Sequence, residues 1–265
     1  MVPVFVGIDV ACANGKRLPI CFAQWERDRL TPLKIPTPLA RAIPRGIGNG
    51  AVQDAAPFAE LAAAVTAAIE NILREMKWTI ARVAIDAPAS PGLLGPRQCE
   101  AALTKAGLSV FKTPNVSQWP DILFKCRQHL AGAGSLARLP HANMIWMRYG
   151  FELFSAFRRN GWKPIEVYPF AIAHTLLQRH PHKSTDEGYG MQAGAIAERT
   201  GWSSSELEAQ LRQTVPGSRH DKLDAFMAAW VASLPKDEVT VYGNRDDLDD
   251  AIWVPLLVNS VNTVN

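Results

Sequence analysis

Two apolar runs, VPVFVGID at residues 2–9 and ARVAID at residues 81–86, each close on an aspartate. A near-continuous apolar run suits a strand buried on both faces, as at the centre of a sheet covered by helices on each side. If the two runs pair in parallel, Asp9 and Asp86 fall at the same edge of that sheet. In open α/β sheets that edge is where sites gather. Few folds place two such strands together, so these runs constrain the rest of the reading.

The segments between them fit a mixed sheet. Asn14-Gly15 is a strong turn signal and predicts a hairpin into a second strand, LPICFAQWE, antiparallel to the first. LTPLKIP is expected to be a short third strand, with the proline content of an edge. Residues 37–53, rich in Pro, Gly and Arg, are expected to be loop. The stretch from Asp54 to Trp78 is the clearest helix, with Phe58, Leu61, Val65, Ile69, Ile72 and Met76 at helical spacing and Asp54 as N-cap. The helix RQCEAALTKAG is expected to stop at Gly107. FKTPNVSQWPD is expected to be loop, and residues 121–140 carry no firm pattern.

Beyond this middle, HANMIWMRYGFELFSAFRRNG predicts a helix with Met144, Met147, Phe151 and Phe154 on one side. PIEVYP is a short strand, and a helical region follows. Ser203 and Glu206 form a capping box for ELEAQLRQT. SRHDKLDAFMAAW is the last helix, and VTVYGNRDDLDDAIWVP predicts a closing hairpin. The expected fold class is α/β: three antiparallel strands, then parallel strands, in one mixed sheet flanked by helices. One domain is expected over residues 1–257, with a helical insertion at about 107–162 and a frayed tail at 258–265.

The composition narrows the function classes. A chain of 265 residues with 48% hydrophobic and 20% charged residues is an ordinary globular one, long enough for a sizeable core. A net charge of +3 argues against gripping long duplex DNA by charge alone. The four cysteines have no zinc spacing and are expected to be separate thiols in a reducing compartment. No basic leader opens the chain, and no apolar run reaches the roughly 20 residues of a membrane span. The expectation is a cytoplasmic protein without a membrane partner. GLLGPR lacks the G-K-[ST] of a phosphate-binding loop, and no G-x-S-x-G elbow is present.

The informative pattern is acidic. Asp9 and Asp86 end apolar strands, Glu166 lies within PIEVYP, and Asp221 and Asp224 share one face of the last helix. Grouped carboxylates repel one another and take up protons unless a cation intervenes. Mg²⁺ prefers such hard oxygen ligands, and two such ions about 3.5–4 Å apart serve phosphodiester cleavage. Carboxylates from different segments suit that arrangement, because no single segment can surround two ions.

GIDVA, VAIDAP and HDKLDAF, in that order, resemble the ribonuclease H-like fold of nucleases and resolvases. More closely, GIDVA, VAIDAP, RQCEAAL, EVYP, HDKLDAFMAAWVA and DDAIWVP resemble the family called domain of unknown function 429, described as predicted ribonuclease H-like nucleases. The resemblance implies that Asp9 is the first-strand metal ligand and Asp86 the fourth-strand acid. It gives Asp224 and Asp221 as the last-helix acids, with Asp224 the firmer. Many such nucleases have glutamate where Asp86 stands, and the shorter arm would move the metal or hold it through water. Glu166 belongs to the family motif EVYP, and its role is open: catalysis, or a pair with an arginine of the insertion.

The implied activity is a Mg²⁺- or Mn²⁺-dependent phosphodiester hydrolase, a nuclease, whose attacking group is a metal-bound water and whose partner is DNA or RNA. The metal ligands would be Asp9, Asp86 and Asp224, with Asp221 and Glu166 as further catalytic candidates. Three residues are candidates for substrate. Arg97 would hold an anion at a helix N-terminus, against the alternative of a surface arginine. His220 would contact phosphate or shuttle a proton, against a solvated helix start. Trp119 would stack on a base, against a place in the core. Two other functions stay open: a catalytically silent nucleic-acid- or protein-binding regulatory member of the fold, and a metal-dependent enzyme acting on nucleotides or small phosphate esters.

Overall fold

The structure is a computed structural model that describes residues 1–52 and 56–256. Among these, seven strands form one sheet in the order β3-β2-β1-β4-β5-β7-β6. β1 (Val2–Asp9), β2 (Ile20–Glu26) and β3 (Arg29–Pro32) are antiparallel neighbours. β4 (Trp78–Asp86) lies parallel to β1, and β5 (Pro164–Val167) lies parallel to β4. β7 (Ala251–Pro255) continues the parallel run beside β5, and β6 (Val239–Gly243) closes the sheet antiparallel to β7. The mixed α/β class is therefore as the sequence predicts, with the closing hairpin joined to the same sheet.

Helices cover both faces because the central strands are apolar on both. Val4, Val6, Ile8, Val83 and Ile85 point into one core layer. There they meet α2 (Ala56–Met76) and α5 (Ala142–Arg159). The alternate positions, among them Ala84, belong to the other layer, against α9 (Arg219–Ser233). α3 (Gln98–Lys105), α6 (Pro169–Leu177), α7 (Asp186–Arg199) and α8 (Ser204–Thr214) complete that side. Ser203 caps α8 through the expected box with Glu206. The insertion contains α4 (Trp119–Ala131) and α5, and α5 packs along α2 as part of the helix layer.

Four expectations need correction. Asn14-Gly15 does form a turn, but at the tip of a longer excursion between β1 and β2, where Arg17 bridges to Arg45. Residues 37–53 contain α1 (Thr37–Ala42) and a 3₁₀ turn at Gly48–Val52. SQWPD opens α4, which runs to Ala131. In both helices the proline that signals a loop sits in the first turn, where its missing N–H is harmless. Lastly, α2 does have the length and apolarity of a membrane span. Its apolar side, including Phe58, Leu61, Val65 and Ile69, is buried in the domain's own core. The expected N-cap Asp54 and the tail at 258–265 lie outside the described residues.

Candidate metal centre

Asp9 and Asp86 are the last residues of β1 and β4, and the parallel register sets them directly opposite one another. Their carboxylates therefore leave the sheet side by side. The third carboxylate depends on how closely α9 approaches. A Cβ on Gly7 would overlap the Ala225 carbonyl and the Ala229 amide, so the helix backbone rests on the strand itself. Ala225, Ala228 and Ala229 on α9 keep that contact thin. Ala225 follows Asp224 directly, so this contact also carries the Asp224 carboxylate to the strand ends. One oxygen from each of Asp9, Asp86 and Asp224 lies within 4.8 Å of the others.

This closeness has an electrostatic cost. Burial, and then the charges of Asp224, Asp86 and Asp221, push Asp9 well above the ordinary carboxylate range. Burial and Asp224 carry Asp86 up to about 8. Burial raises Asp224 as well, opposed by Lys183, whose ammonium is paired with Asp224 Oδ2. Burial would lower Lys183, but Asp224, Asp86 and Asp9 hold it up at about 12. One ammonium among three carboxylates leaves the centre short of positive charge. Asp224 Oδ1 is buried with no hydrogen-bond partner among the described residues, a costly state for a carboxylate oxygen.

A divalent cation fits this set. The donors are all hard oxygens, and oxygens on opposite sides of one Mg²⁺ stand about 4 Å apart, a span compatible with three oxygens within 4.8 Å of one another. Asp9, Asp86 and the free Oδ1 of Asp224 are the residues that would hold it.

The remaining candidates fall elsewhere. Asp221 is the N3 residue of a capping box: its Oδ2 accepts the Ser218 N–H at 2.9 Å, and Ser218 caps α9 in return. It acts on the centre through its charge, which raises Asp9. Glu166 is 4% exposed and takes a two-pronged pair from Arg97, Nη1 to Oε1 at 2.9 Å and Nη2 to Oε2 at 2.5 Å. Glu166 Oε2 also accepts the Ala89 N–H, which fixes the loop after Asp86. Its arginine partner thus precedes the insertion instead of belonging to it.

Arg97 is correspondingly neither a surface residue nor free for substrate. It is 2% exposed and also donates to the Asp249 carbonyl at 2.9 Å. The N-terminal amides of α3 are occupied as well, donated by Gln98 and Cys99 to the Asp250 carboxylate, each at 2.8 Å. Trp119 is a core residue, 8% exposed and packed edge-on against Phe151, so its ring is not offered to a base. His220 is half-buried, edge-on to Tyr189. Burial, with Arg219 and Lys183, lowers its pKa, which disfavours the protonated form that would meet a phosphate.

Sequence reasoning missed Lys183. It lies in the RHPHKST connection between α6 and α7, which has no periodicity, and its partner is 41 residues away. It also missed the aromatic cavity of about 360 Å³ that opens beside Asp86 and Asp224. Trp146 of α5 lines it, with Tyr168 and Phe170 from the start of α6.

Residues 7–247 match the family described as Protein of unknown function (DUF429), and the chain belongs to that family. Neither the curated proteins nor the solved structures yield a match.

Proposed function

We propose that this protein is a Mg²⁺- or Mn²⁺-dependent phosphodiester hydrolase, a nuclease of the ribonuclease H-like class. The observation that carries the reading is the convergence of Asp9, Asp86 and Asp224 from two parallel strand ends and a late helix, with Asp224 Oδ1 buried and unpartnered among the described residues. The strand order β3-β2-β1-β4-β5, with β2 alone antiparallel to both its neighbours, supports that class. A bound divalent ion would supply Lewis-acid activation of water and stabilise the leaving oxygen.

The chain's own residues have separable tasks. Asp9, Asp86 and Asp224 hold the charge that selects a divalent cation. Lys183, on the rim, balances part of that charge and is placed to meet a substrate phosphate. Glu166 and Arg97 keep the loop after Asp86 in position. The test is calorimetric titration of Mn²⁺ into the wild type, Asp9→Asn and Asp224→Asn, beside cleavage assays on single- and double-stranded DNA and RNA. The reading expects one shared Mn²⁺ site that both substitutions abolish while the fold persists, together with metal-dependent cleavage.

The Lys183–Asp224 pair favours a second reading, a catalytically silent regulatory member of the fold in which the ammonium replaces the metal. Absence of Mn²⁺ binding and of cleavage would select it.

A further inference from the structure

We infer that the cavity beside the carboxylates is a pocket for one unpaired nucleobase, so that the substrate is single-stranded or locally unpaired nucleic acid. The inference rests on the hydrolase reading and adds the substrate's form to it. The cavity, about 360 Å³, shares Asp86, Lys183 and Asp224 with the metal centre. A group bound there is therefore joined to whatever phosphate the centre holds. The volume lies near the lower end of the range for small-molecule sites, which begins at about 300 Å³. It suits one nucleotide unit.

The walls have the chemistry of a stacking platform. Trp146 gives its indole N–H to the Asn143 carbonyl at 2.8 Å, and Tyr168 gives its hydroxyl to the Ser109 carbonyl at 2.9 Å. With those polar atoms committed elsewhere, what the two residues bring to the cavity is ring carbon. Phe170 packs against Tyr168 at 5.7 Å and His180 at 6.1 Å between ring centroids, yet is 36% exposed. Such rings take any base by stacking, in a sequence-tolerant way. The polar contribution comes from Gln192, 3% exposed, whose Nε2 lies 3.2 Å from His180 Nδ1. A buried amide held in this way suits recognition of a base edge.

The far wall is built in. His180, His182 and Lys183 sit on the connection that crosses α7 at Gly188, where a Cβ would overlap the Pro181 and His182 carbonyls. A paired base inside a duplex cannot enter such a pocket; only an unpaired or extruded one can.

The experiment titrates the full chain, with saturating Mn²⁺, against a nucleoside 5′-monophosphate and against ribose 5-phosphate. The two share the phosphate and sugar and differ in the base. We expect the nucleotide to bind at least tenfold more tightly. Phe170→Ala and Trp146→Leu should each reduce that preference severalfold, with the Mn²⁺ isotherm unchanged as the check on folding. Equal affinity for the two ligands, or a preference that survives both substitutions, would overturn the pocket. Mn²⁺ binding without base preference would do so while leaving the hydrolase reading in place. Base preference without any Mn²⁺ binding would remove the hydrolase reading and keep the pocket.

Discussion

Replacing Asp86 with asparagine should make the metal-free protein more stable, although it removes a half-buried carboxylate where the central strands end. Asp86 has its folded pKa raised from 3.8 to about 8 by burial and by Asp224. The folded chain therefore holds this proton more tightly than the unfolded chain does. Stability from the group is complete below about pH 4 and is lost as the pH rises toward 8. About three pH units separate 3.8 from neutrality, and each is worth about 1.4 kcal/mol, an upper bound of about 4 kcal/mol at pH 7. Lys183, Asp9 and Asp224 titrate together with Asp86 and take up part of the difference, so about 2–4 kcal/mol is the expected gain. For a chain of this size that raises Tm by about 5–15 °C.

The assay is thermal or urea unfolding in EDTA from pH 4 to pH 8, wild type against Asp86→Asn. The variant's advantage should vanish near pH 4 and grow toward pH 8. With excess Mn²⁺ the order should narrow or reverse, since only the wild type gains from binding, by about 2.7 kcal/mol at a hundredfold excess over Kd. If Asp86→Asn is as stable as wild type, or less stable, at pH 7 in EDTA, burial and the charge of Asp224 do not hold Asp86 in its protonated form.

Gly7→Ala should displace α9 from β1, cost about 3 kcal/mol or more in urea unfolding, and weaken Mn²⁺ binding even where the chain remains folded. Glu166→Gln leaves Arg97 buried beside a neutral partner and should cost about 3–5 kcal/mol; the double variant Glu166→Gln/Arg97→Met should recover part of that loss. Lys183→Met removes the cation that competes for Asp224, so Mn²⁺ affinity by calorimetry should rise severalfold while Tm in EDTA falls.

Asp9 and Asp86 were legible because a carboxylate closing an apolar strand stands out against its surroundings, and the parallel pairing then fixed their neighbourhood. Asp224 was legible for the same reason, as a charge at the head of the apolar run from Ala225 to Ala232. Asp221 looked equivalent by spacing, but Ser218 stands three residues before it, and that pattern marks a cap as readily as a ligand. Arg97 and Glu166 could not be paired from sequence, being 69 residues apart on elements whose contact only the tertiary fold creates. The two prolines at 38 and 120 misled because proline disfavours the interior of a helix yet suits its first turn. SQWPD therefore looks like loop, whereas Pro120 opens α4 and the helix carries Trp119 into the core.

The resting of α9 on Gly7 also bears on how the protein comes into being. The two surfaces that meet there are separated by more than 200 residues, so the contact is among the most non-local in the molecule. Contacts of that range form late and slowly. During synthesis, which proceeds from the N-terminus, β1 and β4 can pair long before α9 has been made. A nascent chain at that stage holds Asp9 and Asp86 alone, beneath an uncovered apolar strip. The third carboxylate arrives with the helix that covers the strip, so the acidic centre is completed only as that side of the sheet is sealed from solvent.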